Sequence, residues 1–438
     1  MFGGGGQVGC DPGTGDLMEE HPVFDPAEIG EFVSLCLEKR NLFLDVCERH
    51  GSPLYLLDEM GLKSRAQEFL DCFQREFQGF GCPLGRVHYA VKSNNHPEVL
   101  RILCEKGMGL DVSSGEELDM ALRGGAASIV FSGPGKTEAE LDLAMKHADR
   151  VILLVDSFGE LERLGRRKGQ AKEILRVAVR LTVNEEGLWR KFGIGLDQLD
   201  TFIKSANEIS CVCFQGLQFH TSWNLDPGAQ TEFIARLGQS LSGLDSQVKR
   251  QIEFIDIGGG IWPACGEWLQ RGKNPLIHSK RPAEPLGVFA REIRGAIEQH
   301  VLPHVNCEIW LEPGRWLCHE GMHILLTVVD KKAEDIAITD GGTNAIGWER
   351  FETDYFPVIN LSRPALTEHP CHVLGSLCTP HDVWGYGYFG EDILPGDVLL
   401  IPMQGAYTYS MRQRFIKPLP AVVVLQDDGT IRYLPCSL

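Results

Sequence analysis

The sequence predicts an α/β protein, a (β/α)8 TIM-type barrel plus a C-terminal β domain, and three observations carry that prediction. Short apolar runs alternate with amphipathic stretches eight times over roughly 250 residues. The runs are continuously apolar, as strands covered on both faces of a parallel sheet must be. After Trp316 the texture changes to longer β-rich segments separated by Gly, Pro and Asp turns.

Taken in order, residues 1–20 open with a Gly3-to-Gly6 run that no strand precedes and no Lys-Ser/Thr follows, which predicts a flexible terminus rather than a phosphate loop. Residues 21–58 carry two helix-like stretches and then, after Pro53, a short apolar strand at 54–57 that is expected to join the β domain. Residues 59–320 hold the barrel, beginning with a helix over 62–77. Its strands are predicted at 87–91, 108–111, 129–132, 151–155, 174–181, 214–219, 252–257 and 307–311. Periodicity alone leaves a doubly wound open sheet as the alternative. Residues 321–438 form the β domain, with strands expected at 323–329, 398–401 and 421–425.

Composition excludes several classes of function. There are 42 Lys+Arg against 60 Asp+Glu, a net charge of −18, which repels phosphate backbones and anionic bilayers, so neither nucleic acid nor membrane is an expected partner. No apolar run approaches the roughly 20 residues needed to span a bilayer, and a cytoplasmic protein is expected. The 14 cysteines include no CxxC pair, which points to reduced thiols. No Cys/His cluster has metal-ligand spacing, so no metal is expected.

In a barrel the chemistry sits at the carboxyl ends of the strands. There the sequence places Lys92-Ser93-Asn94, Asp111, Arg180, His220, Asp256 before Gly258-Gly259-Gly260, and Glu312-Pro313-Gly314-Arg315. Lys92 follows an apolar strand end, where burial is expected to lower its pKa toward that of a neutral amine able to form a Schiff base. Three glycines let backbone N–H groups approach an anion, and barrel phosphates are held by the loops after strands seven and eight, where Arg315 also lies. A sharp turn explains the same glycines. Glu312 is placed to pair with a protonated ring nitrogen or, alternatively, with Arg315. His220 reads either as a ring-stacking residue or as a satisfied core histidine.

Together these residues resemble the barrel-type pyridoxal-phosphate decarboxylases, the family of diaminopimelate, ornithine and arginine decarboxylases, which shares its barrel with alanine racemase. The motifs are Tyr89-Ala90-Val91-Lys92-Ser93-Asn94, Asp111 to Leu118, Lys191-Phe192-Gly193, Gly258-Gly259-Gly260, Glu312-Pro313-Gly314-Arg315 and Gly405-Ala406-Tyr407-Thr408. The resemblance implies that pyridoxal 5'-phosphate is the cofactor and that Lys92 carries it covalently. It implies that Glu312 binds the pyridine nitrogen and that His220 lies against the ring. It gives the phosphate to Gly258, Gly259, Gly260, Arg315 and Tyr407, with Asp111 and Arg180 in support. Cys378 matches the proton donor that the family supplies from a neighbouring subunit, which implies a homodimer with shared active sites.

Two departures bear on the substrate. Thr379 stands where the family's acidic residue meets a distal ammonium, leaving Asp382 as a candidate replacement. Ser222-Trp223 replaces a small Gly-Ser pair, reshaping the phosphate side. The Cys-Thr-Pro-x-Asp form is similar to siderophore-pathway relatives acting on acylated diamino acids, and a modified substrate is therefore expected. Trp189, Arg190, Trp223, Trp384 and Tyr386 are candidates to line the distal pocket, Arg190 suiting a carboxylate. An amino-acid racemase and a non-catalytic regulator are the alternatives on this fold. Glu312 argues against the first, and Lys92, Glu312, Arg315 and Cys378 together argue against the second.

Overall fold

The computed structural model describes residues 22–167, 174–271, 276–347 and 354–435; the glycine-rich start lies outside them. Eight parallel strands close into a barrel in the chain order Leu84–Ala90, Gly109–Val112, Ile129–Phe131, Val151–Val155, Leu175–Leu181, Val212–Phe219, Phe254–Asp256 and Glu308–Leu311. The eighth pairs with both the seventh and the first, which rules out an open sheet. Two helices, Pro26–Glu38 and Arg40–His50, precede the β strand Leu54–Asp58, and the helix that leads into the barrel runs Glu59–Phe77, starting earlier than expected because Asp58 caps it, its carboxylate accepting from Gly61 N at 2.9 Å.

The barrel lumen is filled rather than hollow. Val130, Ile152, Leu154, Ala178, Phe254 and Trp310 form a buried cluster, with the Phe254 and Trp310 rings stacked at 3.7 Å between centroids. Room for them comes from neighbours without side chains: a Cβ on Gly216 would lie 2.6 Å from the Phe254 ring.

A nine-stranded sheet forms the second layer. Its order is Ile336–Thr339, Glu368–Leu374, Val383–Phe389, Ile359–Asn360, Val398–Ile401, Met322–Ala333, Leu54–Asp58, Ala421–Leu425 and Ile431–Leu434. Leu54–Asp58 sits inside this sheet, antiparallel to Met322–Ala333 and parallel to Ala421–Leu425. The chain thus passes from this strand of the β layer straight into the helix Glu59–Phe77 that leads to the barrel. After the seventh barrel strand an antiparallel ribbon, Glu267–Gln270 with His278–Arg281, projects beside the cleft; sequence patterning did not reveal it, because each strand has only four residues and no clean alternation. Among the described residues no helix is long and apolar enough to cross a membrane.

Candidate active site

The strand ends converge on a cleft of about 680 Å³. Lys92 lies in the turn Val91–Ser93 after the first barrel strand and lines this cleft. The turn is bolted to the β layer: Ser410 Oγ donates to Lys92 O at 2.8 Å, Tyr407 N to Ser93 O at 2.7 Å and Asn94 Nδ2 to Gly405 O at 2.9 Å. Gly405 is obligatory here, since a Cβ would come within 1.6 Å of Cys318 O.

Lys92 Nζ donates to Asp111 Oδ2 at 2.9 Å, and Ser132 Oγ donates to Asp111 Oδ1 at 2.6 Å. Asp111 is fully buried while Lys92 keeps 36% side-chain exposure. The expectation of a neutral amine is corrected by this pairing. Burial opposes the charge, but Asp111, Glu312 and Tyr407 outweigh it and raise the Lys92 pKa. The pairing thus favours the ammonium form of Lys92, with Asp111 as its counter-ion.

Glu312, 2% exposed, accepts from Gln218 Nε2 at 3.0 Å through Oε2, while Oε1 is buried without a hydrogen-bond partner. Burial, together with the negative charges of Asp111 and Asp256, raises its pKa well above the usual carboxylate range. Asp256, also buried, accepts from Gly258 N at 2.9 Å and is pushed up to about 7, chiefly by burial. A partnerless buried oxygen costs about 1–3 kcal/mol, and three clustered carboxyls form a pocket that favours an incoming cation. Gln218 and Asp256 were not assigned roles from sequence. Period-two alternation from His220 would have placed Gln218 on the cleft side of its strand.

The folded chain holds a proton on the Asp256 and Glu312 pair that unfolded carboxyls release above the ordinary aspartate value of 3.8. Folded pKa values raised this way give stability that is complete below the unfolded pKa and is lost as pH rises through the folded one. Thermal melts of the cofactor-free protein should therefore decline from about pH 4 through about 7, where Asp256 ionises, and further as Glu312 ionises, at up to about 1.4 kcal/mol per pH unit for each proton held. Asp256→Asn should flatten that decline; an unchanged slope would remove the pair as its cause.

His220 Nδ1 accepts from Gly259 N at 3.2 Å, and burial with the Lys92 and Arg180 charges lowers its pKa, so the ring is neutral. Arg180 packs its guanidinium 4.5 Å from the Phe192 ring centroid, and its buried Nε has no hydrogen-bond partner among the described residues. Gly193 N, donating to Asp156 Oδ2 at 3.1 Å, holds the Lys191-Phe192-Gly193 turn in place for that contact.

The glycine run is a cradle that side chains would fill. Gly258 and Gly260 have φ of +69° and +78°, and a Cβ on Gly259 would meet Glu312 O at 2.1 Å. Gly259 O accepts from Asn224 Nδ2 and Gln230 Nε2, each at 3.2 Å, and Gly260 O accepts from Asn224 N at 3.0 Å, so the loop is braced from behind. Arg315 reaches the same end, its guanidinium 4.1 Å from the Trp262 ring and 4.9 Å from that of Tyr407. Tyr407 adopts φ +57°, a conformation costing roughly 1–3 kcal/mol in a non-glycine residue.

Other sequence candidates fall elsewhere. Trp189 and Trp223 line the cleft, but Arg190 points to solvent with Nε donating to Gly187 O at 3.3 Å. Trp384 is buried, its indole donating to Gly341 O at 2.9 Å; it and Tyr386 do not line the cleft. Asp382 is corrected from a substrate ligand to a loop anchor: it is 2% exposed and accepts from Thr343 N, Thr343 Oγ1 and Leu377 N at 2.7, 3.0 and 2.7 Å. The loop it anchors displays Cys378 as an exposed thiol beside the half-buried Thr379, away from this chain's own cleft.

An amine in a turn, a buried acid with an open oxygen, a neutral imidazole and an anion cradle with an arginine fit a phosphorylated pyridine aldehyde. The fold and cleft thus define a barrel enzyme of the pyridoxal-phosphate class. Residues 67–319 match the family described as "Pyridoxal-dependent decarboxylase, pyridoxal binding domain". The chain belongs to this family and is a pyridoxal-phosphate-dependent amino-acid decarboxylase, a carboxy-lyase. It is 26% identical over 410 residues to diaminopimelate decarboxylase of Aquifex aeolicus, covering 89% of this chain and 90% of that one. It is 25% identical over 412 residues to L-glutamyl-[BtrI acyl-carrier protein] decarboxylase of Niallia circulans, covering 87% and 90%. Among solved structures, diaminopimelate decarboxylase of M. jannaschii superposes with a TM-score of 0.75 at 25% identity, covering 89% of this chain and 91% of that one.

Proposed function

We propose that this decarboxylase acts on an amino acid whose far end is modified or acylated, such as an acylated diamino acid of siderophore or other secondary metabolism, in a cytoplasmic homodimer. The observation that carries the reading is the loop around Cys378: its neighbour is Thr379, and its only carboxylate, Asp382, is spent on Thr343 and Leu377. A free distal ammonium would meet no acid there. The similarity to a relative named for an acyl-carrier-protein-linked glutamyl group supports a derivatised substrate. A second reading, a substrate with a free distal amine, would draw on Asp354, a carboxylate of the cleft wall. Glu267 adds little to it, since Arg281 pairs with its carboxylate at 2.8 Å.

In this reading Lys92 would hold the cofactor covalently, Glu312 and His220 would hold its ring, and Gly258, Gly259, Gly260, Arg315 and Tyr407 would hold its phosphate. Bound pyridoxal phosphate supplies an electron sink for the pair left when carbon dioxide departs. Asp111 would hold and orient the Lys92 amine through their 2.9 Å contact. Glu312, kept from water and near two other carboxyls, holds a proton toward the ring nitrogen. Arg180, beside His220 and Phe192, adds positive charge at the cleft wall. Cys378 of a second copy of the chain delivers the final proton from Sγ.

The test is proton NMR in heavy water with pyridoxal phosphate and a panel of both hands of diaminopimelate, ornithine, lysine, arginine, glutamate and acylated diaminopropionates. A monodeuterated amine from an acylated member, with free diamines turned over at least about tenfold less efficiently, is the expected result. Preference for a free diamine would overturn the substrate reading and favour Asp354 as its partner. With the responding substrate, Cys378→Ala should slow or misdirect reprotonation by about 10²-fold while cofactor content stays at wild-type level; loss of cofactor instead would give Cys378 a structural role.

A further inference from the structure

We propose that Trp223 is a clamp over the phosphate end of the cofactor cleft, latched from outside by Glu267 and Arg281 of the inserted ribbon. The proposal rests on the placement of the phosphate at Gly258, Gly259, Gly260 and Arg315.

Trp223 is 60% exposed and adopts φ +56°, so neither burial nor backbone preference explains it. Its indole N–H instead donates to Glu267 Oε1 at 3.2 Å, and Arg281 Nη1 donates to Glu267 Oε2 at 2.8 Å. Glu267 and Arg281 face each other directly across the ribbon, so the latch is one cross-strand pair whose second carboxylate oxygen holds the indole.

The clamp's root is stitched to the cradle. Asn224 N donates to Gly260 O and Trp262 N donates to Asn224 O, both at 3.0 Å, so the residue after Trp223 is part of the glycine loop's own bridge. The Trp223 ring stands 6.0 Å from that of Trp262 and 5.8 Å from the Arg315 guanidinium, which Tyr407 flanks at 4.9 Å. Three aromatic rings thus surround the cation that meets the phosphate. They displace water from it and strengthen its hold on a dianion. The outermost ring also closes the way out, which is a control on release rather than on encounter.

The rates at which pyridoxal phosphate and pyridoxal leave the loaded protein, followed by absorbance after dilution, test the clamp. Trp223→Ala should speed loss of pyridoxal phosphate about tenfold, with pyridoxal, which has no phosphate to clamp, changed by less than about twofold. Glu267→Leu and Arg281→Met should each speed it less, and neither should add to Trp223→Ala, because they act through the same ring. Trp223→Phe, which keeps a ring but loses the N–H, should behave like Glu267→Leu and serves if the alanine variant does not fold. Unchanged release from Trp223→Ala, or equal acceleration of pyridoxal, overturns the clamp. Arg315→Met separates the two readings: if it leaves release of pyridoxal phosphate unchanged, the phosphate placement itself fails, whereas fast release there with no effect at Trp223 removes the clamp alone.

Discussion

Lys92→Ala is expected to reduce steady-state carbon dioxide release by at least about 10⁴-fold with pyridoxal phosphate in excess. Two functions vanish with the one amine. In the proposed reading the covalent hold on the cofactor is lost, and so is the amine that Asp111 orients across 2.9 Å. Asp111 would remain buried with Ser132 as a donor, so some loss of stability is expected as well; it is moderated because the lysine end of the pair is 36% exposed and solvent can enter the gap. Comparing melting temperature with activity separates the two effects. A small alkylamine added to the folded variant should restore part of the turnover, which a merely structural lysine would not allow. Full multiple turnover by Lys92→Ala would end the assignment.

Glu312→Gln is expected to lower kcat/KM by about 10²- to 10³-fold, the size seen when a preorganised charge at a developing transition state is removed. The same change should make the cofactor-free protein more stable at pH 8. Ionising Glu312 in its buried site beside Asp111 and Asp256 costs folding energy, and the amide has no proton to lose. Opposite signs for activity and apo-stability are the mark of a residue kept for function at the expense of the fold. If the variant were both less stable at pH 8 and fully active, Glu312 would be a structural acid bound to Gln218 and nothing more.

Much of this was legible along the chain. The eight barrel strands, the helix ending at Phe77 and the strands Val398–Ile401 and Ala421–Leu425 follow from runs whose period and apolar content are local properties. Lys92, Asp111, Arg180, His220 and Glu312 could be picked out because parallel strands end in register, so a polar residue closing an apolar run is carried to the same rim as all the others. Short ribbons such as Glu267–Gln270 with His278–Arg281 escaped notice, because four residues give too little periodicity to separate a strand from a loop.

By itself, then, the sequence determined eight strands alternating with helices, a β-rich part after them and the residue types at the rim, since hydrophobic period and turn chemistry act over a few neighbouring residues; closure of the barrel appears only in the pairing of the eighth strand with the first. Only the tertiary structure decided the charge states and the company those residues keep. Lys92 was expected to be neutral from its apolar strand end, and its ammonium form is favoured because Asp111, 19 positions away, folds to within 2.9 Å. Asp382 was expected to face substrate, and it is consumed by backbone donors at Thr343, 39 positions away, and at Leu377. Coulomb interactions and hydrogen bonds depend on distance in space, and that distance exists only once the chain has closed the barrel and docked its sheet.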